Sequence, residues 1–344
     1  MKSIKYYLLV FLLLLAGCTQ QKKEQSFEPV SQNKFLLGTV VTVTLYDNPK
    51  DEIFAEIFEK IEKIEQEMTI NNATTSEVME INKYAGSKEV KVSEDTFNVI
   101  KAGLNYSSLA NGKFDITVGP LVKLWEIGFD DAHVPNNDEI SNAVKLINYK
   151  DIVLNEENLT VKLINPAMMI DLGGIAKGYA ADVATKVLED HGNKHAIINL
   201  GGNVYAYGDK INDMPWKIGI QNPFSPRGEY LGIASVKNKA VVTSGTYERY
   251  FEQDGIIYHH ILDPQTGYPV SNNIVSVTII ANDSMMADAL STSAFALGVE
   301  SGLALIESLD NVEALYITDD YKIYPSSGFL NYFELTDENF TLMN

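Results

Sequence analysis

Ile170-Asp171-Leu172-Gly173-Gly174-Ile175-Ala176-Lys177-Gly178 reads as an apolar strand ending in an acid, then two glycines, then the start of a helix. Met168–Asp171 has strand character, and Ala176–His191 has helical spacing with Gly192 as its stop. A strand delivered through a glycine turn into a helix points to an α/β architecture. The glycines let a ligand approach the backbone, and the helix start offers free N–H groups and a positive dipole end to a phosphate. The stretch is neither a Walker A loop nor a GxGxxG fingerprint, and an ordinary turn has the same appearance.

Toward the N-terminus, Leu36–Tyr46 is rich in Val, Thr and Leu and reads as a strand. Ile53, Phe54, Ile57, Phe58, Ile61, Ile64 and Met68 recur at helical spacing with Glu and Lys between them, which predicts an amphipathic helix whose stripe packs on a core. Further helices are expected over Glu94–Ala110, capped by Ser93, and over Asp138–Ile147. Strands are expected near Ile152–Leu154 and Thr160–Leu163. The C-terminal half is mostly strands: Ala196–Leu200, Trp216–Gln221, Leu231–Val236, Ala240–Thr243, Ile256–Leu262 and Ile274–Ala281. Helices over Met285–Leu297 and Glu300–Leu309 then precede strands at Glu313–Thr318 and Lys322–Tyr324. The sum is a mixed α/β (α+β) fold without a solenoid repeat and without an obvious internal linker.

At the extreme N-terminus, Lys2 and Lys5 precede the apolar run Leu8–Leu15, which ends in Leu15-Ala16-Gly17-Cys18. That run is too short for a mature membrane span and reads as a lipoprotein signal over residues 1–18, with Cys18 as the lipidated first residue. Residues 19–33 lack apolar periodicity and are expected to be a flexible tether, so that one folded unit occupies residues 34–344. Cys18 is the only cysteine, which excludes disulfides within the chain and cysteine-based zinc sites. A formal net charge of −19 and a pI near 4.6 argue against nucleic acid as a partner and against electrostatic adhesion to anionic lipid.

Two more stretches carry chemistry. Asp288 and Thr292 lie four residues apart on one face of the helix over Met285–Leu297. A carboxylate and a hydroxyl suit Mg²⁺, a hard cation that completes its shell with waters and substrate phosphates. Asp288 as a helix-start residue and Thr292 bonded to a carbonyl one turn back would look the same. In His259-His260-Ile261-Leu262-Asp263-Pro264-Gln265-Thr266-Gly267, two of the chain's five histidines adjoin on a strand, so one faces each side of it. One reading makes one of them catalytic and the other structural, and the sequence leaves open which. Upstream, Thr243–Arg249 supplies hydroxyls and an Arg suited to a nucleotide or equally to a surface loop.

Taken in order, Leu37-Gly38-Thr39, Phe114-Asp115-Ile116-Thr117-Val118-Gly119-Pro120-Leu121-Val122 with Leu124-Trp125, Asp171–Gly178, Asn199-Leu200-Gly201-Gly202-Asn203, Thr243–Arg249, His260–Gly267 and Asp288–Thr292 resemble the ApbE family, the FAD:protein FMN transferases. The resemblance covers nearly all of the chain after the tether. It implies an ApbE-like fold of mixed sheets and flanking helices around a T-fold-like core. It implies that Leu37, Asn71, Lys113, Phe114, Asp115, Asp171, Lys177 and His259 line the FAD site, that Gly174 through its carbonyl, Asp288 and Thr292 hold Mg²⁺, and that His260 is the general base. Two positions depart from the family pattern: Glu126-Ile127 replaces Gly-Phe after the Trp, and Asn71 stands where many relatives have Tyr.

The activity implied is Mg²⁺-dependent transfer of FMN from FAD to a Ser or Thr hydroxyl of an extracytoplasmic acceptor flavoprotein with an Asp-x-x-Ser/Thr-type motif, releasing AMP. The lipid on Cys18 would hold the enzyme on the outer face of the cell membrane. An FAD pyrophosphatase would use the same metal and site with water as nucleophile. A flavin-capturing lipoprotein of a transporter would share the leader and tether but need neither the metal pair nor the base.

Overall fold

The protein is described here by a computed structural model covering residues 28–71 and 75–343. The expected leader with Cys18, and residues 19–27 of the expected tether, lie outside the described residues. β1 (Val30–Leu36) begins inside the stretch expected to be tether, before Lys34, because it pairs over its whole length with β2 (Thr39–Leu45). Leu37 and Gly38 make the two-residue turn at φ 54° and 67°, the paired positive values that match strand twist.

α1 (Asp51–Met68) buries the seven predicted apolar residues. α2 (Glu77–Lys83), which no sequence pattern announced, is capped by Ser76 accepting from the Met79 amide. Next come β3 (Val90–Lys91) and α3 (Glu94–Leu109), the latter capped by Ser93 as expected. α4 (Gly119–Trp125) starts with Pro in its first turn. α5 (Asn137–Val144) is shorter than Asp138–Ile147 and carries a full capping box between Asn136 and Glu139. β4 (Ile152–Asn155) and β5 (Thr160–Leu163) join β3 in a small sheet.

Met168–Asp171 is not a strand, contrary to expectation. Its backbone groups are satisfied differently: the Asn82 side chain donates to the Ile170 carbonyl at 3.0 Å and accepts from the Ile170 amide at 2.7 Å. The Asp171 amide donates to the Ile116 carbonyl at 2.8 Å, and a single bridge links Val118 to Met169. A side-chain amide thus replaces the ladder.

α6 (Ala176–Asp190) follows, stopped by Gly192 at φ 73°. Then come β6 (His195–Leu200), β7 (Asn203–Gly208), β8 (Trp216–Gln221), β9 (Tyr230–Val236) and β10 (Lys239–Gly245). β11 (Tyr250–Gln253) and β12 (Ile256–His259) form a hairpin of their own, and β13 (Ile274–Ala281) returns to the main sheet. α7 (Ser284–Leu297), α8 (Val299–Glu307), β14 (Glu313–Thr318), β15 (Lys322–Pro325), β16 (Phe333–Leu335) and β17 (Thr341–Leu342) complete the chain.

The main sheet has nine strands in the order β1-β2-β6-β7-β10-β13-β14-β15-β17, antiparallel except for the β15–β17 pair. One face packs against α1, α6 and α7 through Val41, Val43, Ile198, Val242 and Ile279. The other face is covered by the β16-β9-β8 sheet through Trp216, Leu231 and Phe333 against Val241, Ile280 and Leu315. β13 sits between both layers, which is why it reads as a nearly unbroken apolar run. Among the described residues no helix is long and apolar enough to cross a membrane.

α6 and α7 meet with no space for a side chain between them. A Cβ on Gly178 would lie 2.6 Å from the Met285 Cα and 2.7 Å from the Asp288 Cβ, and closer still to the Ser284 carbonyl. Asp182 of α6 also accepts from the amides of Ser284 and Met285, each at 2.8 Å, and Asp283 caps α7 through the Met286 amide at 2.7 Å. Gly178→Ala should therefore lower stability by about 1–3 kcal/mol through overpacking and reduce the melting temperature by several degrees. Calorimetry on the variant checks this, and an unchanged melting temperature would contradict so tight a junction.

Candidate functional site

The buried carboxylate of Asp288 organises one half of the site. Its Oδ2 accepts from the Gly178 amide at 2.9 Å, in the first turn of α6, and its Oδ1 accepts from the Asn203 side-chain amide at 2.8 Å. Lys177 Nζ stands 3.6 Å from the same Oδ1. Because Asp283 caps α7, Asp288 lies inside the helix with its carboxylate directed at α6 instead of at its own amides. Thr292, one turn on, has its hydroxyl 3.3 Å from Ser244 Oγ, which in turn bonds Ser291 Oγ at 2.7 Å. Gly174 adjoins this group: a Cβ there would fall 3.8 Å from Thr292 Oγ1 and 3.1 Å from the Phe114 ring. The structure thus brings together Gly174, Asp288, Thr292, Lys177 and Phe114.

Two hairpin tips close on this centre. The Leu37 amide donates to Glu65 of α1 at 2.8 Å, which fixes the β1–β2 turn, and Gly38, at φ 67°, packs against the Arg249 side chain, whose Nη2 lies 3.2 Å from its Cβ position. The β6–β7 turn at Gly201-Gly202 packs so closely on Thr39 that a Cβ on Gly201 would overlap it, and the turn presents Asn203 to Asp288.

Asp171 has three cations around it. Burial raises its pKa, while its bond from the Gly173 amide at 2.6 Å and the charges of Lys123, Arg249 and Lys177 oppose that rise. Lys123 also donates to Asn71 Oδ1 at 2.7 Å, which ties Asn71 to the same edge. Lys123 and Asn203 carry no site signal in the sequence beyond their place inside or beside motifs, and Arg249, which the sequence leaves open between a nucleotide contact and a surface loop, stands among the cations around Asp171.

The two histidines separate by hydrogen bonding. His259 is buried edge-on to Phe295, 5.7 Å between ring centres. Its Nε2 lies 3.0 Å from the Val270 carbonyl and its Nδ1 lies 3.3 Å from the Ile261 amide. A carbonyl can only accept and an amide only donate, so Nε2 carries the proton and both ring nitrogens are engaged. His260 Nδ1 lies 3.2 Å from the Arg249 carbonyl, so Nδ1 carries its proton and the Nε2 lone pair has no partner among the described residues. Dense surroundings strip water from this ring, and with Arg249, His259 and Lys177 nearby its pKa is pushed down to about 4 despite the Arg249 carbonyl bond.

The remaining expected residues sit on the flank. Lys113 pairs with Asp263 at 2.9 Å, and Asp263 Oδ1 accepts from the Gln265 amide at 2.9 Å to shape the Pro264 turn. Asp115 is consumed internally, accepting from the Thr117 amide and hydroxyl at 2.8 and 2.6 Å and from the Tyr149 amide at 3.0 Å, while burial raises its pKa. Asp115 borders a cavity of about 270 Å³ that Asn111, Gly112, Tyr149, Pro264 and Gln265 also line. Trp125 Nε1 donates to the Gly267 carbonyl at 2.9 Å and locks α4 to the same turn. Glu126, where the family pattern has Gly, adopts φ 49°, a left-handed conformation that glycine takes without strain.

Asp288, Thr292 and Gly174 offer only oxygen donors, with a single carboxylate among them. Among the described residues no group of three or more His, Cys, Asp or Glu could hold a metal. That donor set fits Mg²⁺ held jointly with substrate phosphates, and does not fit a zinc or calcium cage.

Residues 37–316 match the ApbE family. The chain is 40% identical to an FAD:protein FMN transferase of Klebsiella pneumoniae over 86% of this chain and 92% of that one. It is 34% identical to an FAD:protein FMN transferase of Treponema pallidum over 97% and 96%. Among solved structures, the ApbE protein of Thermotoga maritima superposes with a TM-score of 0.81 at 34% identity, covering 89% of this chain and 99% of that one. The flavin transferase ApbE of Vibrio cholerae gives 0.79 at 30% identity, covering 89% and 99%.

The depressed pKa of His260 has a sign that can be checked. Above about pH 6.5 the ring is neutral in both folded and unfolded chains; as pH falls toward 4 the unfolded ring takes up a proton that the folded one resists, so stability drops across that window. Nitrogen NMR of labelled histidine should show His260 as the Nδ1–H tautomer with a midpoint near 4. His260→Gln should flatten the stability loss between those pH values, and a midpoint near 6.5 would refute the assignment.

Proposed function

This chain belongs to the ApbE family, and on that premise we propose how its site carries out the family's chemistry. It is an enzyme that moves FMN from FAD to protein. The acceptor is a Ser or Thr hydroxyl in an Asp-x-x-Ser/Thr-type segment of an extracytoplasmic flavoprotein. Lys177 is the observation that carries this reading, because it stands 3.6 Å from Asp288 and is close enough to His260 to act on its pKa. The anion-holding half and the proton-accepting half therefore share one cation.

Lys177, Arg249 and Lys123 receive the pyrophosphate of FAD. Phe114 and Leu37 line the nucleotide, with Asn71 held beside it by Lys123. Gly174, Asp288 and Thr292 would hold Mg²⁺, which supplies charge neutralisation on the pyrophosphate. His260 Nε2 takes the proton of the acceptor hydroxyl. The hydroxyl oxygen bonds the FMN phosphorus, the bond from that phosphorus to the bridging oxygen breaks, and AMP departs with the bridging oxygen and its electron pair. His259, with both ring nitrogens engaged, holds the strand that presents His260. The lipid-modified Cys18 would keep this chemistry at the outer face of the cell membrane.

A base with a pKa near 4 is weak at neutral pH, and the bound substrate corrects this. The phosphates offset the charge of Arg249 and Lys177, which makes the protonated ring less costly and raises its pKa.

The test is a soluble form beginning at residue 28, incubated with FAD, Mg²⁺ and an acceptor domain, following AMP release and flavin fluorescence of the denatured acceptor band. His260→Ala should cut kcat by about 10²–10⁴-fold with FAD affinity retained. Asp288→Ala should abolish the Mg²⁺ dependence of FAD binding, measured by calorimetry. The acid limb of kcat should lie at higher pH than that of kcat/KM, because the first reports the complex and the second the free enzyme. AMP released at the same rate without any acceptor would replace the transferase reading with FAD hydrolysis, and FAD recovered intact would leave only flavin binding.

A further inference from the structure

The hairpin that carries the two histidines has an edge that, toward the hairpin tip, has no backbone partner among the described residues. β11 and β12 form a two-stranded sheet, apart from the nine-stranded one. The His260 amide donates to the Arg249 carbonyl at 3.1 Å, which fixes the phase of the ladder. With the register Tyr250↔His259, Phe251↔Tyr258, Glu252↔Ile257 and Gln253↔Ile256, bonded pairs alternate, so Ile257 and His259 turn their backbone groups away from β11.

Further along, that outer side is occupied. Val270 donates to the Ile261 carbonyl at 2.9 Å and Asp263 donates to the Tyr268 carbonyl at 2.8 Å, with a bridge between Leu262 and Pro269. The returning segment Tyr268–Val270 therefore covers the edge as far as Ile261 and reaches His259 only through its side chain. From Ile257 outward the edge has no partner among the described residues.

The surface beside this edge carries large apolar side chains, with Glu252, the cross-strand partner of Ile257, as the charged group among them. Phe251 and Tyr258 stack on each other at 5.2 Å and pack on Trp125. On the opposite face Tyr250 and Ile257 are 50% and 57% exposed. The outer edge of β12 has no Pro and no Lys, the usual devices against pairing.

We infer that an extended segment of the acceptor protein adds to the outer edge of β12, pairing with the backbone of Ile257 and covering Tyr250 and Ile257 with its apolar side chains. This rests on the transferase reading. It commits to the acceptor because the open edge runs directly into His260: Ile257 lies three residues, about 10 Å of strand, from His260, so a segment paired here lies within reach of that ring. Main-chain pairing supplies affinity that tolerates varied sequences, and alternate side chains of the added strand fall on the face that His260 uses.

The experiment uses a soluble carrier protein bearing a tail with Asp-Ala-Ala-Thr flanked by alternating Val and Thr. Ile257→Pro removes an amide that the hairpin does not need, and Tyr250→Asp places a charge on the covered face. Both should raise KM for the tailed carrier by about tenfold or more while kcat and the Kd for FAD stay within twofold, and Ile257→Val should behave as wild type. On the wild-type enzyme with FAD, saturating tail should slow deuterium exchange of the Ile257 amide. Unchanged KM in Ile257→Pro, or unprotected exchange at Ile257 during turnover, overturns the edge proposal. A wild-type enzyme that cleaves FAD to free FMN and AMP without labelling the tail overturns the transferase reading itself.

Discussion

The site depends on the contact between the first turn of α6 and the middle of α7. Gly178 has no side chain, so the two helices approach until the Gly178 amide reaches the Asp288 carboxylate. A carboxylate taken out of water is costly unless it is bonded and charge-balanced. Here one oxygen takes a helix-start amide and the other takes Asn203 and faces Lys177, so the charge is held without being cancelled. Asp182 and Asp283 hold the start of α7 in place from behind, which fixes Asp288 and Thr292 together. Every other part of the centre is set against this junction: Gly174 precedes α6, Asn203 arrives on the β6–β7 turn, and Thr39 of the first hairpin packs on that turn.

The adjacent histidines show how a strand divides labour by geometry alone. Side-chain alternation puts one ring inward and one outward. The inward ring of His259 is caught between a carbonyl and an amide, which leaves it neutral and without free capacity. The outward ring of His260 is held by a single carbonyl, so its tautomer is fixed and its second nitrogen is open. Burial lowers its pKa most, and Arg249 and Lys177, two of the three cations around Asp171, lower it further, which couples proton affinity at His260 to the charge around Asp171.

Much of this was legible in the sequence because the determining signals are local. The α1 stripe, the Ser93 cap, the Gly192 stop and the core strands Trp216–Gln221 and Ile274–Ala281 are all set by spacing within one element. The errors have non-local causes. Met168–Asp171 has strand composition, but Asn82, far off in sequence, supplies the bonds a neighbouring strand would have given. β1 starts early because it pairs with β2, although its own residues are polar and mostly exposed. In the site, spacing grouped Asp288 with Thr292, while nothing local revealed Asn203 as a partner of Asp288 or Lys123 as a neighbour of Asp171. Asp115 accepts from Thr117, two residues on, and from the distant Tyr149 amide, and only the first of these partners is suggested by the Asp-Ile-Thr spacing.

The two sides of the centre differ in how firmly they are built. The anion side consists of hairpin tips and helix starts rooted in the nine-stranded sheet and its helical layer, so small displacements there cost core packing. The His260 side stands on a two-stranded hairpin, marginal by itself and held by Trp125, Phe251 and Tyr258. Trp125 is in turn locked to Gly267 at the end of the Asp263 turn, so aromatic packing and one indole hydrogen bond fix where the histidine strand lies. Loosening that cluster would move His260 relative to Lys177 while leaving Asp288 and its partners in place. The fold therefore builds the Asp288 centre and the His260 strand on separate supports.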